Sequence, residues 1–212
     1  MSFALLIIAA YLLGSVPFGI IIAHAHGKDL RKIGSGNIGA TNLSRALGRK
    51  WGYICFALDV AKSLVPMLVA MRLLSLPPTT GELLLWLAVG VAAIAGHIFP
   101  VFACFKGGKG VATSFGVALG LYPYYTVCAA IAFGAWLIIV LIWRYISLGS
   151  IIASVVFPAA LIGLIGAKPD WTFAQLWPLL IAATLIPIMV IARHGQNIKR
   201  IIAGTEDKVL KR

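Results

Sequence analysis

Apolar residues run along this chain in blocks near the ~20 residues that cross a bilayer as helix, and short polar stretches between them collect nearly all the charge. The blocks occupy residues 3–23, 52–74, 83–101, 111–143, 151–166 and 176–192. The fourth is too long for one crossing. Gly120 and Pro123, set among Tyr122, Tyr124 and Tyr125, predict an interfacial turn that divides it, giving seven spans. Gly116 and Gly120, four apart, predict close packing of the first half. The first block carries no basic leader or small-residue cleavage site and reads as a retained helix. Its Gly14-Ser15-Val16-Pro17-Phe18-Gly19 run predicts a loosened helix whose freed carbonyl a neighbour must satisfy.

Composition fixes the class as an all-α integral membrane protein. With 61% hydrophobic and 11% charged residues, residues 1–212 read as a single polytopic domain. The net charge of +12 is not a nucleic-acid signature, because its placement follows the bilayer. With seven spans, the connections at 24–50, 102–110, 144–150 and 193–212 share one side and hold 15 of 18 Lys and Arg. That bias puts the N-terminus outside and the C-terminus in the cytoplasm. Cys55, Cys104 and Cys128 lack CxxC spacing, so no disulfide or zinc site is expected. The six scattered acids argue against a metal mechanism.

The same four connections hold the reactive residue types, which makes a site at the cytoplasmic interface the natural reading. In the first, Gly34-Ser35-Gly36-Asn37-Ile38-Gly39-Ala40-Thr41-Asn42 predicts a shaped loop dense in small donors and acceptors, with Arg45 placed for bidentate phosphate binding. In the second, Lys106-Gly107-Gly108-Lys109-Gly110 precedes a helical run, and glycine N–H groups beside two ammonium groups suit a phosphate. It is not a P-loop, since Gly110 follows Lys109 where Ser or Thr is required. The third is Arg144 to Ser150 and reads as a polar turn. The fourth starts an amphipathic helix at His194, with Asn197 on the same face and Ile198, Ile201 and Ile202 toward lipid. Asp59 and Lys62, at i and i+3, read as a structural ion pair, and His97 as a packing residue. His24 and Asp29 satisfy H-x-x-x-x-D, but with four histidines present the match reads as accidental.

Taken together, GSGNIGATN at 34–42, GHIFPVFACFKGGKGVAT at 96–113 and HGQNIKRIIAGTE at 194–206 resemble the three motifs of the bacterial membrane acyl-phosphate:glycerol-3-phosphate acyltransferases. GSVPFG at 14–19 and RYISLGS at 144–150 also fit, so the resemblance covers essentially the whole chain. One departure is Ser63, where the family's D-x-x-K-G has glycine.

The resemblance implies transfer of a fatty acyl group from acyl phosphate to the 1-hydroxyl of glycerol 3-phosphate, giving lysophosphatidic acid and phosphate. It implies no cofactor, membrane lipid as surroundings and a bacterial inner membrane location; the oligomeric state is left open, with a monomer as one option. Carried over by position, Ser35, Arg45, His194 and Asn197 form the catalytic set. Gly36, Asn37, Thr41, Asn42, Lys106, Gly107, Gly108, Lys109, Gly110 and Ser147 are the expected substrate contacts, and Glu206 is structural. Two proton acceptors stay open at this point, His194 and the departing phosphate. A transporter of an organic phosphate anion is the alternative, disfavoured by the absence of an internal repeat and by polar motifs on one face.

Overall fold

The structure, a computed structural model, describes residues 2–209 and contains no strand among them. Ten α-helices follow in order: α1 Phe3–Gly14, α2 Phe18–Ala25, α3 Ala40–Leu47, α4 Arg49–Met71, α5 Thr80–Ile98, α6 Val111–Gly120, α7 Thr126–Trp143, α8 Ile146–Ala167, α9 Phe173–Arg193 and α10 Gly195–Ile202. Among the described residues, six stretches are long and apolar enough to cross a membrane: Phe3–Ala25, Arg49–Met71, Thr80–Ala103, Thr126–Trp143, Ile146–Ala167 and Phe173–Arg193. The seventh expected segment is α6, an apolar helix of 10 residues. At 1.5 Å rise per residue it reaches about 15 Å, half the hydrocarbon thickness. The turn expected at Pro123 is present and separates α6 from α7.

The chain forms two compact units. The first holds residues up to Leu76 together with Leu85–Leu121. Its first span is broken between Gly14 and Phe18, as the glycine and proline run predicts. The side chain of Lys62 donates to the freed Val16 carbonyl at 2.9 Å, which supplies the partner that the break needs. Glycine sets the close approaches: a Cβ on Gly14 would strike the Ala93 carbonyl, and one on Gly19 would strike the Ile38 carbonyl. Gly116 and Gly120 bring α6 onto Val60, Ser63 and Met67 of α4. Ser63, fully buried, lies 2.9 Å from the Thr113 carbonyl and 3.0 Å from that of Val60. Its hydroxyl is thus satisfied in the space that the bare Gly116 leaves open.

Within the long polar connection, α3 is a helix that the loop reading does not anticipate. After Gly39 no glycine or proline interrupts ATNLSRAL, and Leu43 is drawn into a core with Ala23, Leu30, Ile38 and Cys55. Ala40, Thr41, Asn42 and Arg45 therefore lie on a helix, while 34–39 remains loop.

The second unit comprises Pro77–Leu84 and residues from Tyr122 onward. The Tyr125 hydroxyl donates to the Leu179 carbonyl, and its ring meets Phe157 edge-on at 5.0 Å. Helix α8 begins at Ile146, five residues before its apolar block, so the expected polar connection shrinks to Arg144 and Tyr145. Serines in the first turns of α8 bond back to the helix: Ser150 Oγ donates to the Ile146 carbonyl at 3.0 Å and Ser154 Oγ to that of Ser150 at 2.8 Å. Back-bonded hydroxyls make such residues compatible with helix. Gly149 then lets α8 close on Trp136 and Val140 of α7.

Candidate active site

The sequence motifs fold into two groups of polar side chains, one in each unit. In the first unit, the loop at 34–39 is shaped by left-handed backbone at Gly34 (φ 56°) and Gly36 (φ 68°), which side chains with a Cβ rarely adopt. Its organiser is Asn42, 2% exposed. The Asn42 amide nitrogen lies 3.1, 2.9 and 2.9 Å from the carbonyls of Leu30, Ile33 and Asn37, and its oxygen accepts the Ser35 N–H at 3.1 Å. Asn42 was expected among the substrate contacts; its amide is instead absorbed in holding Ser35 in place. Asn37 Oδ1 accepts the Gly39 N–H at 2.9 Å, an Asx turn leading into α3. The Ser35 hydroxyl is half-buried and makes only a long contact, 3.5 Å, to the Asn37 N–H. Thr41 is half-buried on the first turn of α3, and Arg45 is exposed one turn further along.

The glycine connector closes back on the end of α5. Gly107 N–H donates to the Ile98 carbonyl at 3.2 Å and Gly108 N–H to the His97 carbonyl at 3.1 Å. These two N–H groups, expected to converge on a phosphate, cap helix α5 because its last carbonyls need donors. Anion-seeking donors are found one step later, where Gly110 (φ 85°) caps α6 and Lys109 stands just ahead of the helix N-terminus. Lys106 is exposed. Ahead of the glycines, Cys104 (φ 54°) and Phe105 (φ 59°) are two consecutive left-handed residues with side chains, a costly backbone. Arg31 steadies them: its Nη2 donates to the carbonyls of Ala103 at 2.8 Å and Lys106 at 3.2 Å. Sequence reading missed Arg31, which looks there like one more interfacial cation.

Behind the connector lies a buried charge cluster. Asp59 Oδ1 is 2.7 Å from Lys62 Nζ, with side-chain exposures of 4% and 2%. The ion pair inferred from the i, i+3 spacing is therefore present. His97 joins it, with Nδ1 3.6 Å from Asp59 Oδ1. A narrow crevice runs past these three along Ser15, Val16 and Pro17.

In the second unit, Glu206 is the hub. Its Oε1 accepts from Asn197 Nδ2 at 2.6 Å and Ser147 Oγ at 2.8 Å, and its Oε2 accepts from Arg200 Nε at 2.8 Å. Burial raises a carboxyl's pKa, yet here the hydrogen bonds from Arg200, Asn197 and Ser147 and the Arg200 charge prevail and hold it below the ordinary value. Ser147, expected to touch substrate, is a buried donor to Glu206. His194 is buried at the corner between α9 and α10, its Nδ1 2.7 Å from the Val190 carbonyl. A carbonyl only accepts, so Nδ1 carries the hydrogen and Nε2 of the neutral ring is the basic nitrogen. The predicted amphipathic helix is α10: His194 and Asn197 face inward, and Ile202 is 82% exposed.

The first unit offers a serine hydroxyl, a guanidinium and an ammonium beside a helix N-terminus, and the second offers an oriented imidazole and an anchored amide. These groups suit phosphate binding and acyl transfer.

A family model described as glycerol-3-phosphate acyltransferase matches residues 4–204. The chain is 47% identical over 202 residues to the glycerol-3-phosphate acyltransferase of Trichlorobacter lovleyi, covering 95% of each. It is 41% identical over 205 residues to that of Aquifex aeolicus, covering 96% of this chain and 97% of the relative. Two crystal structures of PlsY (YgiH), an integral membrane glycerol 3-phosphate acyltransferase, superpose on it. The glycerol 3-phosphate form gives a TM-score of 0.84 at 40% identity, with 99% of this chain and 96% of that one covered. The lysophosphatidic acid form gives 0.82 at 38% identity, with the same coverage. This chain belongs to the PlsY family of glycerol-3-phosphate acyltransferases.

Proposed function

We propose that this protein transfers a fatty acyl group from acyl phosphate to the 1-hydroxyl of glycerol 3-phosphate, releasing lysophosphatidic acid and inorganic phosphate. The observation that carries the reading is the full-length match to PlsY in a glycerol 3-phosphate form and a lysophosphatidic acid form, names that fit an acceptor and a product of one acylation. The acyl phosphate donor is supported by the three motifs.

Acyl phosphate is already activated, so the protein has chiefly to position it, neutralise charge and manage one proton. Arg45, Lys109 and the N-terminus of α6 hold phosphate groups. Ser35, fixed through Asn42, and Asn197, fixed through Glu206, orient the carbonyl and the acceptor hydroxyl. His194 Nε2 takes the hydroxyl proton as oxygen attacks the acyl carbon, the carbon–oxygen bond to phosphate breaks, and the proton ends on the departing phosphate. The Nδ1 contact to Val190 favours this role because it leaves Nε2 basic. No cofactor enters the scheme.

The membrane reading completes the proposal: seven crossings with α6 as the short one, N-terminus outside and C-terminus in the cytoplasm, in the bacterial inner membrane, as a monomer. The confinement of 15 of 18 Lys and Arg to alternate connections supports the crossings and their orientation. A test is to reconstitute the protein in vesicles loaded with palmitoyl phosphate and to supply labelled glycerol 3-phosphate. Label recovered in lysophosphatidic acid supports an acyltransferase; unmodified label accumulating in the lumen means a transporter.

A further inference from the structure

The Asp59, Lys62 and His97 cluster has no part in the chemistry above, yet it is built at a cost. Ionisable groups within membrane spans are expensive and mark function more often than they add stability. Asp59 and Lys62 sit in mid-α4, and His97 Nδ1 is buried without a hydrogen-bond partner, 3.6 Å from Asp59. Two of its members also reach different pieces of the first unit. Lys62 is tied to the Val16 carbonyl at the break in the first span. His97 is tied to the glycine connector twice: its carbonyl takes the Gly108 N–H, and its ring occupies the space that a Cβ on Gly108 would need, so the two cannot move independently.

We propose that Asp59, Lys62 and His97 act as positioning residues that set the Gly107–Gly108 turn, and through it Lys109 and the start of α6, for the phosphate of glycerol 3-phosphate. The inference rests on the acyltransferase reading and on that connector as its glycerol 3-phosphate site. Asp59 faces the His97 ring from behind at 3.6 Å, the ring packs on Gly108 from the front, and Lys109 and the N-terminus of α6 follow directly. A purely structural cluster would affect folding alone; a positioning cluster affects the affinity for one substrate.

The test is steady-state kinetics of the full-length protein in lipid, varying glycerol 3-phosphate at saturating palmitoyl phosphate and then the reverse. The variants are Asp59→Asn, His97→Phe, which keeps the ring volume, and the double variant. The expected result is a KM for glycerol 3-phosphate raised about tenfold, with kcat and the KM for palmitoyl phosphate within about twofold of wild type. The double variant is expected to be no worse than the singles, since both cut one link. Unchanged parameters, a fall in kcat alone or additive losses overturn the proposal. If Asp59→Asn does not fold, His97→Phe carries the test alone by the same criterion, and failure of both to fold makes the cluster structural. Absence of turnover in the wild type overturns the acyltransferase reading and this inference with it; turnover with unaffected variants overturns only this inference.

Discussion

Asn197 donates its side-chain amide to Glu206 at 2.6 Å, across the corner where α10 turns back. That bond joins a residue proposed to orient substrate to the carboxylate that anchors it, and Ser147 and Arg200 complete the shell around the same carboxylate. Glu206→Gln keeps an acceptor for Asn197 and Ser147 but loses the charge that Arg200 faces. We expect a loss on the order of 1–3 kcal/mol in stability, read as an unfolding midpoint in detergent. The pH dependence has a definite sign. Because the native carboxyl titrates below its ordinary value of 4.5, its contribution is complete above that value and fades as pH falls through the lower native one. The gap between wild type and Glu206→Gln should therefore close in acid; a gap independent of pH would contradict the assignment.

Helix contacts in the first unit depend on particular glycines. Gly14→Ala places a methyl group against the Ala93 carbonyl and Gly116→Ala places one against Ser63 and Val60, so each should cost roughly 1–3 kcal/mol by overpacking. Gly134, in α7 with nothing near its absent Cβ, is the control: Gly134→Ala should be neutral or stabilising by up to about 1 kcal/mol. Equal effects at all three positions would mean that helix propensity and not contact decides.

Asn42 distinguishes a loop organiser from a substrate contact. Asn42→Asp removes the donors that face three carbonyls and puts negative charge beside them. It should lower thermal stability and activity together, by more than Thr41→Ser, a milder change on the same helical turn. A folded Asn42→Asp protein of normal stability that has lost only glycerol 3-phosphate affinity would restore Asn42 to the substrate contacts.

His194→Gln tests the proton acceptor. Loss of a general base should lower kcat by about 10²- to 10⁴-fold and abolish the acid limb of the kcat profile. A profile of unchanged shape would assign the proton to the departing phosphate and leave His194 as a positioning group.

Six of the seven expected spans, the break at Pro17, the Asp59–Lys62 pair and the amphipathic α10 are legible because each follows from periodicity, from residue spacing or from a backbone property of a single residue. Other features depend on contacts between distant residues. Asn42 reads as a loop donor until Leu30, Ile33 and Asn37 are seen to converge on it, and His97 reads as a packing residue until the connector folds onto its ring. The early start of α8 is hidden because Ser147 and Ser150 look like turn residues in sequence, whereas Ser147 turns to Glu206 and Ser150 bonds back to the Ile146 carbonyl. Ser147 was placed near the chemistry by its motif, but the direction of its hydroxyl, toward Glu206, is a tertiary fact.

The central claim is tested most directly by supplying the purified protein in lipid with palmitoyl phosphate and glycerol 3-phosphate and measuring released phosphate and lysophosphatidic acid, beside Ser35→Ala and a palmitoyl-CoA reaction. The account predicts equal amounts of both products, dependence on both substrates, near-complete loss in Ser35→Ala, and nothing from the CoA donor. Product from palmitoyl-CoA at a comparable rate, or no product from palmitoyl phosphate in folded protein, would contradict it.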